Sequence, residues 1–232
     1  MAARRAPRVP RALLPLVVLT LVAGCSAPDS GSADEDGAAA PPPWTPPPPP
    51  TEGSIVVGVG DTWTYTSDAG NNTVRIVGAS NGTLRVESTT TREGEGPNVV
   101  TSILDARTLA LISLQDPRFG ADLTFVPPLP ILIPAQDHAY EGKVVARTLL
   151  GQVEQPATGH VTFYGLENVS TPAGTFETYH YAATLRSDGT FAFEQTRELW
   201  FSPEVRQAVR LVTDGRVEDL VSWELLADDA AP

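Results

Sequence analysis

The chain has 232 residues but only one cysteine, three histidines and a single lysine, Lys143. One cysteine excludes any disulfide within the chain. A folded domain here must therefore rest on its core alone, and roughly 170 residues are enough for that. Long apolar runs are missing too. The clearest uncharged stretch is residues 12–23, too short for a bilayer core, which takes about 20 residues in a helix. His138, His160 and His180 stand far apart in sequence. His160 and His180 fall on neighbouring candidate strands, yet two imidazoles without a third ligand make a poor metal site. No phosphate-cradling Gly-x-x-x-x-Gly-Lys loop is present, and no nucleophile elbow is expected. Glu177, Glu194 and Glu198 are the candidate paired carboxylates; on exposed strand faces such acids serve solvation. No catalytic residue, metal ligand or cofactor is assigned.

Positive charge is also scarce. The chain carries 16 Lys+Arg against 28 Asp+Glu. Residues 1–24 hold four of the arginines and no acid, so the remainder has 12 against 28, a formal −16. Such a surface repels nucleic acid, whose binding needs a basic footprint. It also repels anionic headgroups and favours a domain standing off a membrane.

What is present begins with an address. Arg4, Arg5, Arg8 and Arg11 precede the apolar stretch, and small Ala23 and Gly24 precede Cys25, the pattern of a cleavable export signal. Leu21-Val22-Ala23-Gly24-Cys25 resembles the lipobox of bacterial lipoprotein signal peptides. The resemblance implies that residues 1–24 are removed and that the Cys25 sulfur takes a diacylglyceryl group. Cys25 then becomes the mature N-terminus. The implied partner is the lipid bilayer, and the implied location is the extracytoplasmic face of a bacterial membrane. Each buried methylene contributes about 0.8 kcal/mol, so two acyl chains hold firmly.

Residues 25–54 join this cysteine to a low-complexity stalk. It contains Asp34-Glu35-Asp36, an alanine triplet, Pro41-Pro42-Pro43 and the prolines of 46–50, with Trp44 as its one large apolar residue. Proline fixes φ and removes backbone donors, so neither helix nor sheet is expected. Extended polyproline II at about 3.1 Å per residue makes it a spacer.

Residues 55–226 change character, and residues 227–232 read as a disordered tail. Short runs alternate between apolar and polar residues, punctuated by turns, with no helical period. Trp63 and Tyr65 share one face. Asn81-Gly82 predicts a tight hairpin between 73–79 and 83–91, because both residues tolerate positive φ. Further strands are expected at 108–114, 161–166, 175–185, 190–201, 206–213 and 217–226, with Phe191 and Phe193 sharing one face. Asp214-Gly215-Arg216 joins the last two. Residues 202–205 read as one short helical turn. Val217, Val221, Trp223 and Leu225 share a parity and are expected to be buried together. The class is all-β: about ten strands, little helix, one curved antiparallel sheet closed as a barrel or folded as a sandwich.

Residues 125–134 form an apolar, charge-free segment broken by prolines, which bar it from a central strand. It is expected as a loop over the open end of the barrel. Either it completes the core, or Phe125, Leu129, Ile131, Leu132 and Ile133 wall an apolar ligand pocket.

Three stretches carry a family resemblance. Gly60-Asp61-Thr62-Trp63-Thr64-Tyr65 is similar to an opening G-x-x-W-x-Y strand. Thr171-Pro172-Ala173-Gly174-Thr175-Phe176-Glu177-Thr178 is similar to V-P-A-G-T-F-x-T. Leu199-Trp200-Phe201-Ser202-Pro203 is similar to x-W-Y-A-P, before the penultimate strand. Together these resemble the TapB-like exported proteins over most of 60–226. After Pro203 the chain has Glu204-Val205-Arg206 where the family often has Gly-Val-Gly. The resemblance implies a curved antiparallel β architecture and no established activity.

Three functions follow as expectations. The first is a non-enzymatic lipoprotein whose β-domain binds an apolar or polymeric envelope ligand. The second is an interaction module that uses its surface or a sheet edge to meet an envelope protein. The third is an enzyme, which needs convergent acids or histidines in a pocket.

Overall fold

The computed structural model describes residues 55–117, 120–131, 136–189 and 192–226. Cys25, the stalk, Phe191, Leu132, Ile133 and the tail lie outside the described residues.

Alternation becomes geometry from the first strand. In β1 (Thr62–Ser67), Trp63 and Tyr65 are each 1% exposed, while the threonines between them turn outward. Eleven strands follow: β2 (Gly70–Ser80), β3 (Thr83–Thr91), β4 (Asn98–Asp105), β5 (Leu111–Asp116), β6 (Ala121–Leu129), β7 (His138–Thr148), β8 (Gly151–Thr171), β9 (Gly174–Ser187), β10 (Phe193–Ser202), β11 (Gln207–Thr213) and β12 (Arg216–Glu224). Every strand pairs antiparallel with its sequence neighbour, and β12 pairs with β1. The sheet closes into a barrel of twelve strands, two more than expected. Closure removes the free edges that an open sheet must protect.

The hairpin chemistry is as expected. Asn81 (φ 51°) and Gly82 (φ 73°) join β2 to β3, and Asp214 (φ 51°) and Gly215 (φ 80°) join β11 to β12. Both pairs take the positive φ that a primed two-residue turn demands. Pro203 to Arg206 form turns in place of the expected helical turn. Arg206 takes φ 57° there, at the place of the second family glycine.

Asp61 seals the seam. Its side chain is fully buried, and its carboxylate accepts from Gly58 N at 2.8 Å and Leu226 N at 2.9 Å. One acid thus ties the chain entering β1 to the chain leaving β12.

Four expectations need correction. Residues 108–110 are not strand: the Asp105 carboxylate accepts from Thr108 N (2.8 Å), Thr108 Oγ1 (2.9 Å) and Arg107 N (3.0 Å), winding a turn that ends at Leu109 with φ 56°. β8 extends to 21 residues, far beyond 161–166: Pro156 pairs with Lys143 in the ladder with β7, and Gly159 and Gly165 sit in the ladder with β9, whose register shifts between Phe163 and Gly165. In β12 the buried residue is Leu220 at 0%, while Val217 and Val221 are 44% and 40% exposed. An irregular register between Thr64 and Tyr65 skips Val221, so Trp223 rejoins the inward face one residue out of phase with Leu220.

The fourth correction concerns the proline segment. Its first part is strand β6, paired on both sides and not a loop. Toward β5 the ladder jumps from Ser113↔Thr124 to Leu111↔Leu129, and toward β7 it ends at Val126↔Lys143. Pro127 and Pro128 fall in that bulge, where no ladder N–H is required. Tyr140 donates its hydroxyl to Pro127 O at 2.9 Å and fastens the bulge to β7.

The core lies in clusters. Trp63, Ile76, Leu84, Val205, Val209 and Leu220 pack where the chain enters and leaves the barrel. Tyr179, Tyr181, Leu199 and Phe201 continue this packing along β9 and β10. Phe125, Tyr140, Val144 and Ala157 form a separate cluster on the β6–β8 side. The β8–β9 hairpin overhangs its neighbours, since pairing with β10 ends at Phe201↔Tyr179. Its tip folds back. Ala173 N donates to Leu220 O at 3.1 Å, Arg210 Nη2 donates to Ser170 O at 3.2 Å, and Phe176 meets Trp223 edge-on with centroids 5.5 Å apart.

Candidate functional site

The barrel's interior changes chemistry along its length. Arg197 shares the face of Leu199 and Phe201, which are 6% and 0% exposed, and pairs across the ladders with Ala183 and Thr213. By the period of a strand it therefore points inward. Yet the residue is exposed to water. Its pair with Thr213 is the last of the β10–β11 ladder, so water reaches the inward side chain at the level where β11 turns into β12. Enclosure by the surrounding protein lowers the guanidinium's pKa, and the charges of Glu218 and Asp214 act in the opposite sense. Among the described residues, no hydrogen bond or ion pair engages that guanidinium.

Glu218 also faces inward, opposite Leu211. Its carboxylate accepts from Asn72 Nδ2 at 3.2 Å, and Asn72 Oδ1 accepts from the Ser88 hydroxyl at 2.8 Å. Tyr65 completes this wall by donating to Ala208 O at 2.8 Å. Burial raises the Tyr65 pKa well above its ordinary 10.0, and the Glu218 charge adds to the rise. Along the inward face from β5 to β10 the wall is apolar. Leu114, Leu123, Leu185 and Phe193 are half-buried and packed on the Phe125–Tyr140–Val144–Ala157 cluster. The lumen thus has one charged, hydrogen-bonding side and one apolar side.

The sequence-predicted wall residues divide. Phe125 is 4% exposed in the core cluster, Leu129 packs against that cluster, and Ile131 is half-buried. Gly142 is obligatory beside them: an added Cβ would lie 2.6 Å from the Tyr140 hydroxyl and 2.7 Å from Val126 O. A separate cleft of about 280 Å³ is lined by Val99, Thr101, Gln115, Asp116, Pro117, Gly120, Ala121 and Asp122, and none of the predicted wall residues borders it.

The predicted histidines do not meet. His160 pairs with Thr184 and His180 with Gly165. His180 instead belongs to an outer row. Its ring stacks on Trp200 at 4.2 Å and approaches Tyr164 at 4.8 Å. Nδ1 lies 3.0 Å from Glu167 Oε1, and Nε2 lies 3.5 Å from Glu198 Oε2. Trp200 Nε1 donates to the same Glu167 oxygen. Glu177, Glu194 and Glu198 do not converge: Glu198 faces His180, Glu194 is exposed and Glu177 pairs opposite Asn168. Among the described residues, no group of three or more His, Cys, Asp or Glu is placed to hold a metal ion.

Gly78-Ala79-Ser80-Asn81-Gly82 spells Gly-x-Ser-x-Gly. That motif works at a sharp strand-to-helix turn. Here Ser80 ends β2 and the chain turns directly into β3, so no elbow forms.

Sequence reading missed Arg197 and Glu218. A signal existed for the first. Arg197 stands in phase with Phe193, Leu199 and Phe201, and with Gln195 it interrupts an apolar face. Glu218 was hidden by the phase error at Val221.

No family model matches the chain, and no curated protein matches it. Solved structures do. The hypothetical lipoprotein YmcC from Escherichia coli K12 is similar at 9% identity, with 72% of this chain and 86% of that chain covered and a TM-score of 0.44. A candidate exported protein with a YmcC-like fold from Bacteroides fragilis is similar at 14% identity, covering 73% and 98%, with a TM-score of 0.42. A candidate lipoprotein from Parabacteroides distasonis is similar at 11% identity, covering 73% and 97%, with a TM-score of 0.41. Likenesses this distant carry no argument about what the chain does.

Proposed function

We propose that this protein is a lipid-anchored, extracytoplasmic and non-enzymatic lipoprotein whose β-barrel holds an apolar or amphipathic envelope ligand in its lumen. The observation that carries the reading is the inward Arg197 that water reaches, at the border of a half-buried apolar wall. A barrel packed solid would leave no accessible charge inside. Three sequence features support the address: the basic start, the short apolar run and Cys25 after Ala23-Gly24. The TapB-like motifs are consistent with an exported β-domain of this kind.

Mass spectrometry of the full chain extracted from its own membranes tests both halves. The expected species begins at an acylated Cys25 and releases a small apolar molecule into organic solvent. Cys25→Ser is expected to abolish labelling by a palmitate analogue and to free the protein from the membrane. A product starting at unacylated Met1 overturns the anchor, and a barrel free of any co-purified molecule overturns the cargo.

An interaction module is the second reading. Closure of the barrel removes the sheet-edge version of it. What favours it is the β7–β8 hairpin tip, where Leu149 and Leu150 are 104% and 100% exposed. Thr148 Oγ1 accepts from Leu150 N at 3.1 Å and donates to Gly151 O at 3.2 Å, so the leucines stand on a braced turn. Replacing both by aspartate is expected to weaken recovery of the protein with its native membranes; unchanged recovery rejects this contact.

A further inference from the structure

We infer that the lumen ligand carries an anionic head, a carboxylate or a phosphate, and that Arg197 is the residue that receives it; this rests on the lumen reading above and narrows it to a chemical class. A guanidinium offers five N–H donors in a planar fork that matches carboxylate and phosphate oxygens. Within this barrel none of the five is used by a described residue. The surroundings explain why they remain available. Arg197's ladder neighbours are Ala183 and Thr213, which are short and cannot reach across to it. Glu218, the nearer of the two influential acids by effect, already has its carboxylate held by Asn72 at 3.2 Å. Asp214 sits on the β11–β12 turn, with positive φ, and not on the lumen face of a strand.

The guanidinium is surrounded by protein yet wetted, and with no protein partner among the described residues its donors face water. A ligand anion replaces that water with charge-assisted hydrogen bonds to the planar fork. The same enclosure dictates the rest of the molecule. Ala183 continues across β8 to Val161, and beyond these lie Leu185 and Phe193. A head on Arg197 therefore leads its attached chain along an apolar wall. The acidic exterior does not forbid this, since exposed charges are screened beyond about 8 Å at physiological ionic strength.

The test compares one hydrocarbon with and without its charge. The mature chain from residue 25, carrying Cys25→Ser and stripped of co-purified lipid, is titrated with the fluorescent polyene cis-parinaric acid and with its methyl ester. The expected result is an acid preferred over the ester by about tenfold or more, the scale of one charge-assisted contact. In Arg197→Met the ratio is expected to fall to near one. In Arg197→Lys, which keeps the charge but loses the fork, an intermediate ratio is expected. Competition by palmitate and by oleoyl lysophosphatidate then identifies the head: stronger displacement by the first marks a carboxylate, by the second a phosphate. Equal displacement by uncharged monoacylglycerol overturns the inference. So does an acid-to-ester ratio that survives in Arg197→Met, while the lumen reading stands. If Arg197→Met loses its far-ultraviolet signature, the Arg197→Lys ratio decides alone, and a wild-type value there overturns the assignment. Failure of both probes to bind the unmodified barrel is a different result, and it removes the lumen reading itself.

Discussion

The two parts of the barrel's interior obey one rule of alternation and reach opposite outcomes. Where the chain enters and leaves, the inward positions are Trp63, Ile76, Leu84, Val209 and Leu220, and they pack shut. Along β10 the same inward face runs from Phe201 through Leu199 to Arg197, and water appears. Backbone geometry is continuous through this change. The difference lies in side-chain shape and charge: large apolar groups fill the interior, whereas a guanidinium beside Ala183 and Thr213 cannot. A closed sheet of this size therefore becomes a core or a chamber according to a few inward residues.

That contrast yields predictions of graded size. The largest effect is expected at Phe201, fully buried in the packed part: Phe201→Ala should cost about 3–5 kcal/mol in urea unfolding. Arg197→Met, two steps of alternation away on the same face, should change stability by less than about 1 kcal/mol, because no native bond is broken. Equal losses from the two substitutions would erase the distinction between core and chamber.

Gly142→Ala comes next. The new methyl collides with the Tyr140 hydroxyl and with Val126 O, and overpacking of this kind costs about 1–3 kcal/mol. Tyr140→Phe should relieve only part of this in the double variant, since the Val126 carbonyl stays in place. Tyr65→Phe should cost about 1–2 kcal/mol, for it leaves the buried Ala208 carbonyl without its donor.

The smallest expected effect is electrostatic. Hydrogen bonds from Thr108 lower the Asp105 pKa below its ordinary 3.8, with Arg107 adding to the effect. A carboxylate depressed in the folded state contributes stability that is complete above the unfolded value. That contribution is lost as pH falls through the lower, folded value. Asp105→Asn should therefore lower stability slightly at neutral pH and leave it unchanged well below about pH 4, so that the acid limb of the profile flattens. An unaltered acid limb would show that the turn's hydrogen bonds persist without the charge.

Much of the fold was readable from local chemistry. Asn81-Gly82 and Asp214-Gly215 announced their turns because positive φ is a property of the residues themselves. Trp63 and Tyr65 announced the first strand by simple alternation. Other elements were not readable. β6 was rejected on account of Pro127 and Pro128, although a bulge spares both from donating. The parity of β12 was misjudged because the register slips at Val221, which a sequence read one strand at a time cannot display. Half of the candidate site was missed for the same reason: Glu218 falls on the outward parity of β12 until the slip at Val221 is known, whereas Arg197 was legible from its phase with Phe193, Leu199 and Phe201.

The amino-acid order by itself determined that no disulfide supports this protein, that its charge is strongly acidic beyond residue 24, and that its domain is built of short strands and tight turns. These depend on composition and on the φ preferences of neighbouring residues. Tertiary structure alone decided that the sheet closes, that the long β8–β9 hairpin folds back upon β11 and β12, and that one arginine falls on the inward face of β10. Each of these is set by registers between strands, and a one-residue slip turns every side chain to the opposite face.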